Sequence, residues 1–273
     1  MPTTESIRDF QETVWEYFRA HERAMPWRDR PTPYNVMVSE IMLQQTQVPR
    51  VVPKFLEFTV RFPDIKALAD APLADVLLHW NGLGYNRRAK FLYEAAKAVV
   101  RDFGGILPAS RDELVQLPGI GPNTAGAILA YAYEQPVVFI ETNIRTVIIH
   151  HFFADSDEPV SDAQIKEIME AALPSEHPRQ WYWALMDYGT HIKATAGAQL
   201  KRVQGYKKQS VFNGSRRQVR GQVLRELLAG GQADSQLRAA VTDSRLPEVL
   251  AALQQEGLIT LANEQWYLTG HEG

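Results

Sequence analysis

Apolar residues recur at helical spacing along most of the chain. Ile7, Phe10, Val14 and Phe18 form one stripe of a helix predicted over 5–21. Three prolines make 26–34 a loop, and helices follow over 34–47 and 51–62. Short helices are expected at 67–69 and 73–80. A turn at Gly82-Leu83-Gly84 then leads into a longer helix over 87–103, stopped by Gly104-Gly105. Further helices are read at 111–117, 122–133, 143–152, 162–173 and 177–190. Strand patterns before residue 200 are almost absent, and the apolar run 137–140 is short.

After Tyr206 the pattern changes. Helices are expected over 217–228, 234–241 and 246–255. Two β-like runs follow, 258–261 and 265–268, around a turn at Asn263-Glu264. Three helices and a ribbon read as a winged helix. The predicted class is all-α, with a large domain over 1–205 and a small winged-helix-like domain over 206–273.

Composition narrows the chemistry. The 273 residues are 45% hydrophobic and 22% charged, which supports a folded core rather than disorder. There is no cysteine, so disulfides, thiolate zinc sites, Cys-held iron–sulfur clusters and a cysteine nucleophile are excluded. The first residues show no apolar signal-peptide core, and no run is long enough to cross a bilayer. A soluble, cytoplasmic, monomeric protein without a membrane partner is expected. Net charge is −3, yet 188–225 holds nine cations and no acid, so the remainder carries −12. Such a segregated stretch (Lys193, Lys207, Lys208, Arg216, Arg217 and others) suits either a phosphate backbone or a solvated linker.

Leu117-Pro118-Gly119-Ile120-Gly121 lies between two predicted helices. Glycine allows close backbone approach, and the next helix presents unpaired N–H groups and a positive dipole end. Together they can hold a phosphate without a charged side chain. Alone, Pro118, Gly119, Ile120 and Gly121 would read as an ordinary helix–helix turn.

More of the chain carries a resemblance. Pro26-Trp27-Arg28, the run Ser39-Glu40-Ile41-Met42-Leu43-Gln44-Gln45-Thr46-Gln47-Val48, Gly82-Leu83-Gly84-Tyr85, the hairpin, and Thr124-Ala125-Gly126-Ala127-Ile128 resemble the A/G-mismatch adenine DNA glycosylases, the MutY type of the helix–hairpin–helix superfamily. The likeness covers about 8–192, and the stretch from Glu40 to Thr46 separates this branch from the related endonuclease III. It implies two helical lobes, about 30–135 and 1–29 plus 136–205, with the active site in the cleft between them. The implied partner is double-stranded DNA carrying a lesion or mismatch.

The resemblance also assigns roles. Gln45 and Tyr85 match side chains that fill the gap left by an extruded base. Glu40 matches the general acid that protonates the leaving base, on a helix apolar enough to desolvate it. Glu141 falls where the family has an Asp facing the cationic sugar, one methylene longer. Asn123 stands where bifunctional relatives carry a lyase lysine, which implies a monofunctional glycosylase; it could also position water or sugar. Trp27 and Arg28 match base-pocket positions, and Trp183 replaces a Glu or Gln that helps read adenine. The family's iron–sulfur cluster and Nudix-like C-terminal domain have no counterpart. A monovalent or divalent cation at 118–121 is the one cofactor left open. The leading expectation is a glycosylase for mispaired adenine. The alternatives are a glycosylase for uracil, thymine or an alkylated purine, and a non-catalytic DNA-binding protein.

Overall fold

The computed structural model describes residues 2–154, 156, 158–197, 203 and 211–271. Helices dominate the described residues, and the chain divides into two compact units. One unit comprises Met1–Met37, Ala109–Val115 and Ile120–Lys208. The other comprises Val38–Pro108, Gln116–Gly119 and Gln209–Gly273. No described helix is long and apolar enough to cross a membrane.

The first unit is organised around a long helix, α12 (Pro178–Thr195). Helix α1 (Thr4–His21) buries Ile7, Phe10, Val14 and Phe18, the predicted stripe, and packs on α12. The Phe10 and Trp181 rings meet edge to face at 5.8 Å. Helix α10 (Thr142–Phe152) and α9 (Pro122–Tyr133) pack on other parts of α12, and the short α8 (Arg111–Leu114) packs on α9. Helix α11 (Asp162–Ala172) joins α1 and α10, its start fixed by a capping box of Ser161 and Gln164. The expected loop at the prolines instead contains a one-turn helix, α2 (Pro26–Asp29). Pro26 at its first position lacks an N–H that would have been unpaired anyway. The apolar run 137–140 forms no strand. Side chains satisfy its backbone instead: Tyr182 Oη donates to Val137 O (2.9 Å) and Arg111 to Val138 O (3.0 Å).

In the second unit, α4 (Val48–Arg61), α5 (Ile65–Ala69), α6 (Leu73–Trp80) and α7 (Arg87–Phe103) enclose Phe58, Phe62 and Trp80, all fully buried. Each such side chain contributes about 1.5–3 kcal/mol by leaving water. Helix α3 (Pro33–Leu43) begins in the first unit and ends in the second. Val36, Met37, Val38, Ile41 and Met42 on it are all buried, as expected of a helix apolar on most sides.

The C-terminal segment contains α13 (Arg216–Leu227), β1 (Gln232–Ala233), α14 (Asp234–Ala240), α15 (Leu246–Gln255), β2 (Ile259–Ala262) and β3 (Gln265–Leu268). The strands form an antiparallel sheet in the order β1-β3-β2, with Ala262 opposite Gln265. Asn263 and Glu264, both at positive φ, make the two-residue turn. This is the element order of a winged helix, with one strand more than the sequence pattern gave. Two residues are too few to show alternation.

The contact-defined units differ from the lobes expected from sequence. Helix α9, expected with 30–135, belongs to the first unit. It packs on α12, and Arg179 of that helix donates to Ala132 O (3.2 Å) and pairs with Glu134 (2.7 Å). The C-terminal segment joins 38–108 instead of standing apart. Lys90 of α7 donates to Glu256 O, and Arg220 pairs with Glu256 at 2.6 Å.

Candidate active site

In the second unit, Glu40 sits on α3 between buried Ser39 and buried Ile41 and is itself half-buried. The last turn of α3 opens into the Gln45 loop. Gln45 is exposed and holds φ 57°, while Tyr85 in the 82–86 loop holds φ 48°. Left-handed backbone is uncommon outside glycine and costs roughly 1–3 kcal/mol per residue, so it persists only where neighbours enforce it. Both sequence-predicted wedge residues therefore occupy enforced positions.

The enforcing residue is Arg88, buried in the first turn of α7. Its guanidinium donates to Ile41 O (2.7 Å) and Met42 O (2.9 Å) at the end of α3. It also donates to Thr46 Oγ1 (2.9 Å) and Gly84 O (3.1 Å). Its charge lies 5.4 Å from the ring centres of both Trp80 and Tyr85. Thr46 in turn donates to Leu83 O (3.4 Å). One cation thus ties the helix of Glu40 to the loops of Gln45 and Tyr85. Burial lowers its pKa to about 10, so it stays charged at neutral pH. Sequence reading passed over Arg88, although it lies in register with buried Leu92, Ala95 and Val99 on one face of α7.

The hairpin follows the expected logic. Gly119 holds φ 78°, and an added Cβ would stand 2.8 Å from Phe91 Cβ, so only glycine fits. Gly121 caps α9, with Pro122 at its first position. Any cation there would depend on backbone carbonyls, and Gly119 O already accepts from Gln44 Nε2 at 3.4 Å. Among the described residues no three His, Asp or Glu side chains cluster as metal ligands.

Helix α13 reaches the same region. Arg217 donates to Tyr85 Oη, and its charge lies 5.3 Å from the Tyr85 ring centre. A cavity of about 320 Å³ is lined by Gln44, Gln45, Tyr85, Arg88, Arg217 and Arg220, among others. Arg216 of the same helix donates to Glu248 O (3.3 Å). Lys207 and Lys208 lie outside the described residues.

The first unit holds the remaining candidates. Glu141 is the N-cap of α10 and makes no capping hydrogen bond. It is half-buried by area, but its carboxyl is crowded. Loss of surrounding water pushes its pKa up, while Arg145 and Lys193 pull it down. Asn123 is committed to backbone: its Nδ2 donates to Ile140 O (2.9 Å) and its Oδ1 accepts from Ile140 N (3.4 Å). It therefore fixes the residue before Glu141. Arg28 is equally committed, making a two-pronged contact with buried Asp187 (2.8 Å each) and a bond to Arg23 O (3.0 Å). It also lies 5.2 Å from the ring centre of half-buried Trp183, while Trp27 is buried. Arg28 thus packs against Trp183 with both terminal nitrogens already engaged. Asp187, the anchor of this pair, went unnoticed in the sequence because a lone Asp in a helix carries no pattern.

Residues 38–174, half of the chain, match the HhH-GPD superfamily of base excision DNA repair proteins. The chain belongs to that family. Among its relatives, an adenine DNA glycosylase of Mycobacterium tuberculosis is 31% identical over 289 residues, covering 94% of both chains. One from Buchnera aphidicola subsp. Baizongia pistaciae is 37% identical over 184 residues, 67% of this chain and 52% of that one. The chain thus spans about half the length of the Buchnera relative. Among solved structures, a thermostable thymine-DNA glycosylase superimposes with TM-score 0.65 at 25% identity, over 73% of this chain and 93% of that one. A non-covalent endonuclease III–DNA complex gives TM-score 0.62 at 18% identity, over 74% and 92%, which supports the fold.

Proposed function

We propose that this chain is a monofunctional DNA glycosylase that flips adenine out of a mismatch and hydrolyses its N-glycosidic bond. The observation that carries this is the Arg88 brace, which ties the helix of Glu40 to the two enforced loops that present Gln45 and Tyr85. The name shared by the relatives supports adenine. Glu40 gives its proton to a ring nitrogen of the base as the bond to C1′ breaks and its electron pair leaves with the purine. The sugar becomes cationic, Glu141 faces it as a carboxylate, and water adds at C1′, its surplus proton passing to solvent. Asn123 offers no amine for a covalent intermediate. The protein acts on double-stranded DNA as a monomer.

A second reading keeps the chemistry and changes the base. Trp183, where the family has a polar reader of adenine, favours it, as does the likeness to a thymine-DNA glycosylase at 25% identity. A panel of single-lesion duplexes separates the two. It carries adenine opposite guanine or 8-oxoguanine, thymine or uracil opposite guanine, and an alkylated purine. Release of adenine alone supports the first reading. Release of another base with adenine untouched sinks it.

The arginines of α13 suit the phosphates or bases beside Tyr85. Replacing Arg217 by Ala is expected to weaken duplex binding and reduce the slope of log affinity against log salt by about one. A binding titration over a salt series measures both. An unchanged slope would assign Arg217 to protein packing alone.

A further inference from the structure

We propose that Lys193 is a positioning residue for base excision: a half-buried ammonium clamped to Asn143, two residues after Glu141 at the start of α10, that keeps the Glu141 carboxylate charged. The proposal rests on the reading of Glu141 as the group facing the sugar. By sequence, Lys193 belongs to the basic stretch, which suits either a phosphate backbone or a solvated linker. The structure turns it inward instead.

The geometry begins one helical turn earlier. Gly189 of α12 lies so close to α10 that an added Cβ would stand 2.7 Å from Asn143 O. The two backbones are in contact, and the next turn of α12 brings Lys193 over the first residues of α10. Its Nζ donates to Asn143 Oδ1, while Asn143 Nδ2 donates to Met186 O at 3.2 Å. Asn143 is thus clamped to α12 from both ends of its amide, two residues after Glu141.

The charges around Glu141 divide clearly. On α10, Arg145 is shared with Asp162 of α11 through two hydrogen bonds, 3.0 and 2.8 Å. On α12, Asp187 is taken by Arg23 and Arg28, while the Lys193 ammonium, bonded to Asn143, favours charge on Glu141. Helix α9 contributes the uncharged Asn123. His150 and His151 lie at the far end of α10. Burial disfavours charge on both Glu141 and Lys193, and each favours charge on the other. Removing the ammonium leaves Glu141 with a half-committed Arg145 and the same desolvation. Its carboxyl then holds its proton to higher pH, and a neutral acid cannot stabilise a cationic sugar.

The test uses the full chain with Lys193→Met and Lys193→Arg. Two quantities are read: the titration midpoint of the Glu141 carboxyl, by carbon NMR with the resonance assigned through Glu141→Gln, and the pH profile of single-turnover base release. In Lys193→Met the midpoint and the acid limb are expected to rise together by about one pH unit, so release on that limb slows about tenfold. Lys193→Arg is expected to restore both. An unmoved midpoint overturns the proposal, as does a rate loss equal at every pH. A borohydride-trapped DNA adduct that depends on Lys193 also overturns it, because the amine would then be a nucleophile. Full activity of Glu141→Gln overturns the sugar-facing role of Glu141. That failure is distinguishable, because the midpoint would still move in Lys193→Met.

Discussion

Replacing Glu40 by Gln is expected to slow single-turnover base release by about 10²–10⁴-fold while leaving affinity for mismatched duplex unchanged. The amide keeps the size and planarity of the side chain at the end of α3 and removes only the transferable proton. The main chain around it is set by groups the substitution does not touch, including the Arg88 bonds to Ile41 O and Met42 O. Flipping should therefore survive. A fluorescent adenine analogue at the target position reports extrusion, and product analysis reports cleavage. Loss of cleavage with extrusion retained is the expected pair. Cleavage at the wild-type rate would remove Glu40 from the chemistry.

Arg88→Met is expected to be the most damaging substitution outside the reacting groups. Methionine fills much of the buried space but cannot satisfy Ile41 O, Met42 O, Thr46 Oγ1 or Gly84 O. Hydrogen bonds from a charged donor contribute about 1.5–3 kcal/mol each, and the orphaned buried carbonyls add a desolvation cost. The four bonds come from one guanidinium and relax together, so a net loss of about 3–5 kcal/mol is expected from denaturant unfolding. The surviving folded fraction should release base about 100-fold more slowly, because Gln45 and Tyr85 lose what holds them in left-handed backbone. Wild-type unfolding would show that the loops support themselves. A stability loss with a normal rate in the folded fraction would separate the brace from catalysis.

The parts of this fold that were legible from sequence are those governed by local periodicity and by backbone demands of single residues. The stripe of α1, the stop of α7 at Gly104, the glycine of the hairpin and the two-residue turn at Asn263-Glu264 all belong here. Glu40, Gln45 and Tyr85 were legible only because they stand in a run that resembles a family. No spacing rule relates residues 45 and 85. What escaped was long-range. Arg88, Asp187 and the inward turn of Lys193 each depend on partners far away in the chain: Thr46, Arg23 and Asn143. A charge on a helix looks exposed until its neighbours are known. The grouping of α9 with α12 is long-range in the same way, since Arg179 of α12 reaches back to Ala132 O at the end of α9.

The proposed reaction is hydrolysis of adenine from a mispair without strand cleavage. The most direct measurement is a single-turnover time course on a duplex with one adenine opposite 8-oxoguanine. Free adenine is followed by chromatography, and strand length is followed on gels before and after alkali. Adenine is expected to accumulate to one equivalent per duplex while the strand stays intact until alkali is added. A duplex from which no adenine is released, with thymine, uracil or an alkylated purine freed from matched controls, would contradict it.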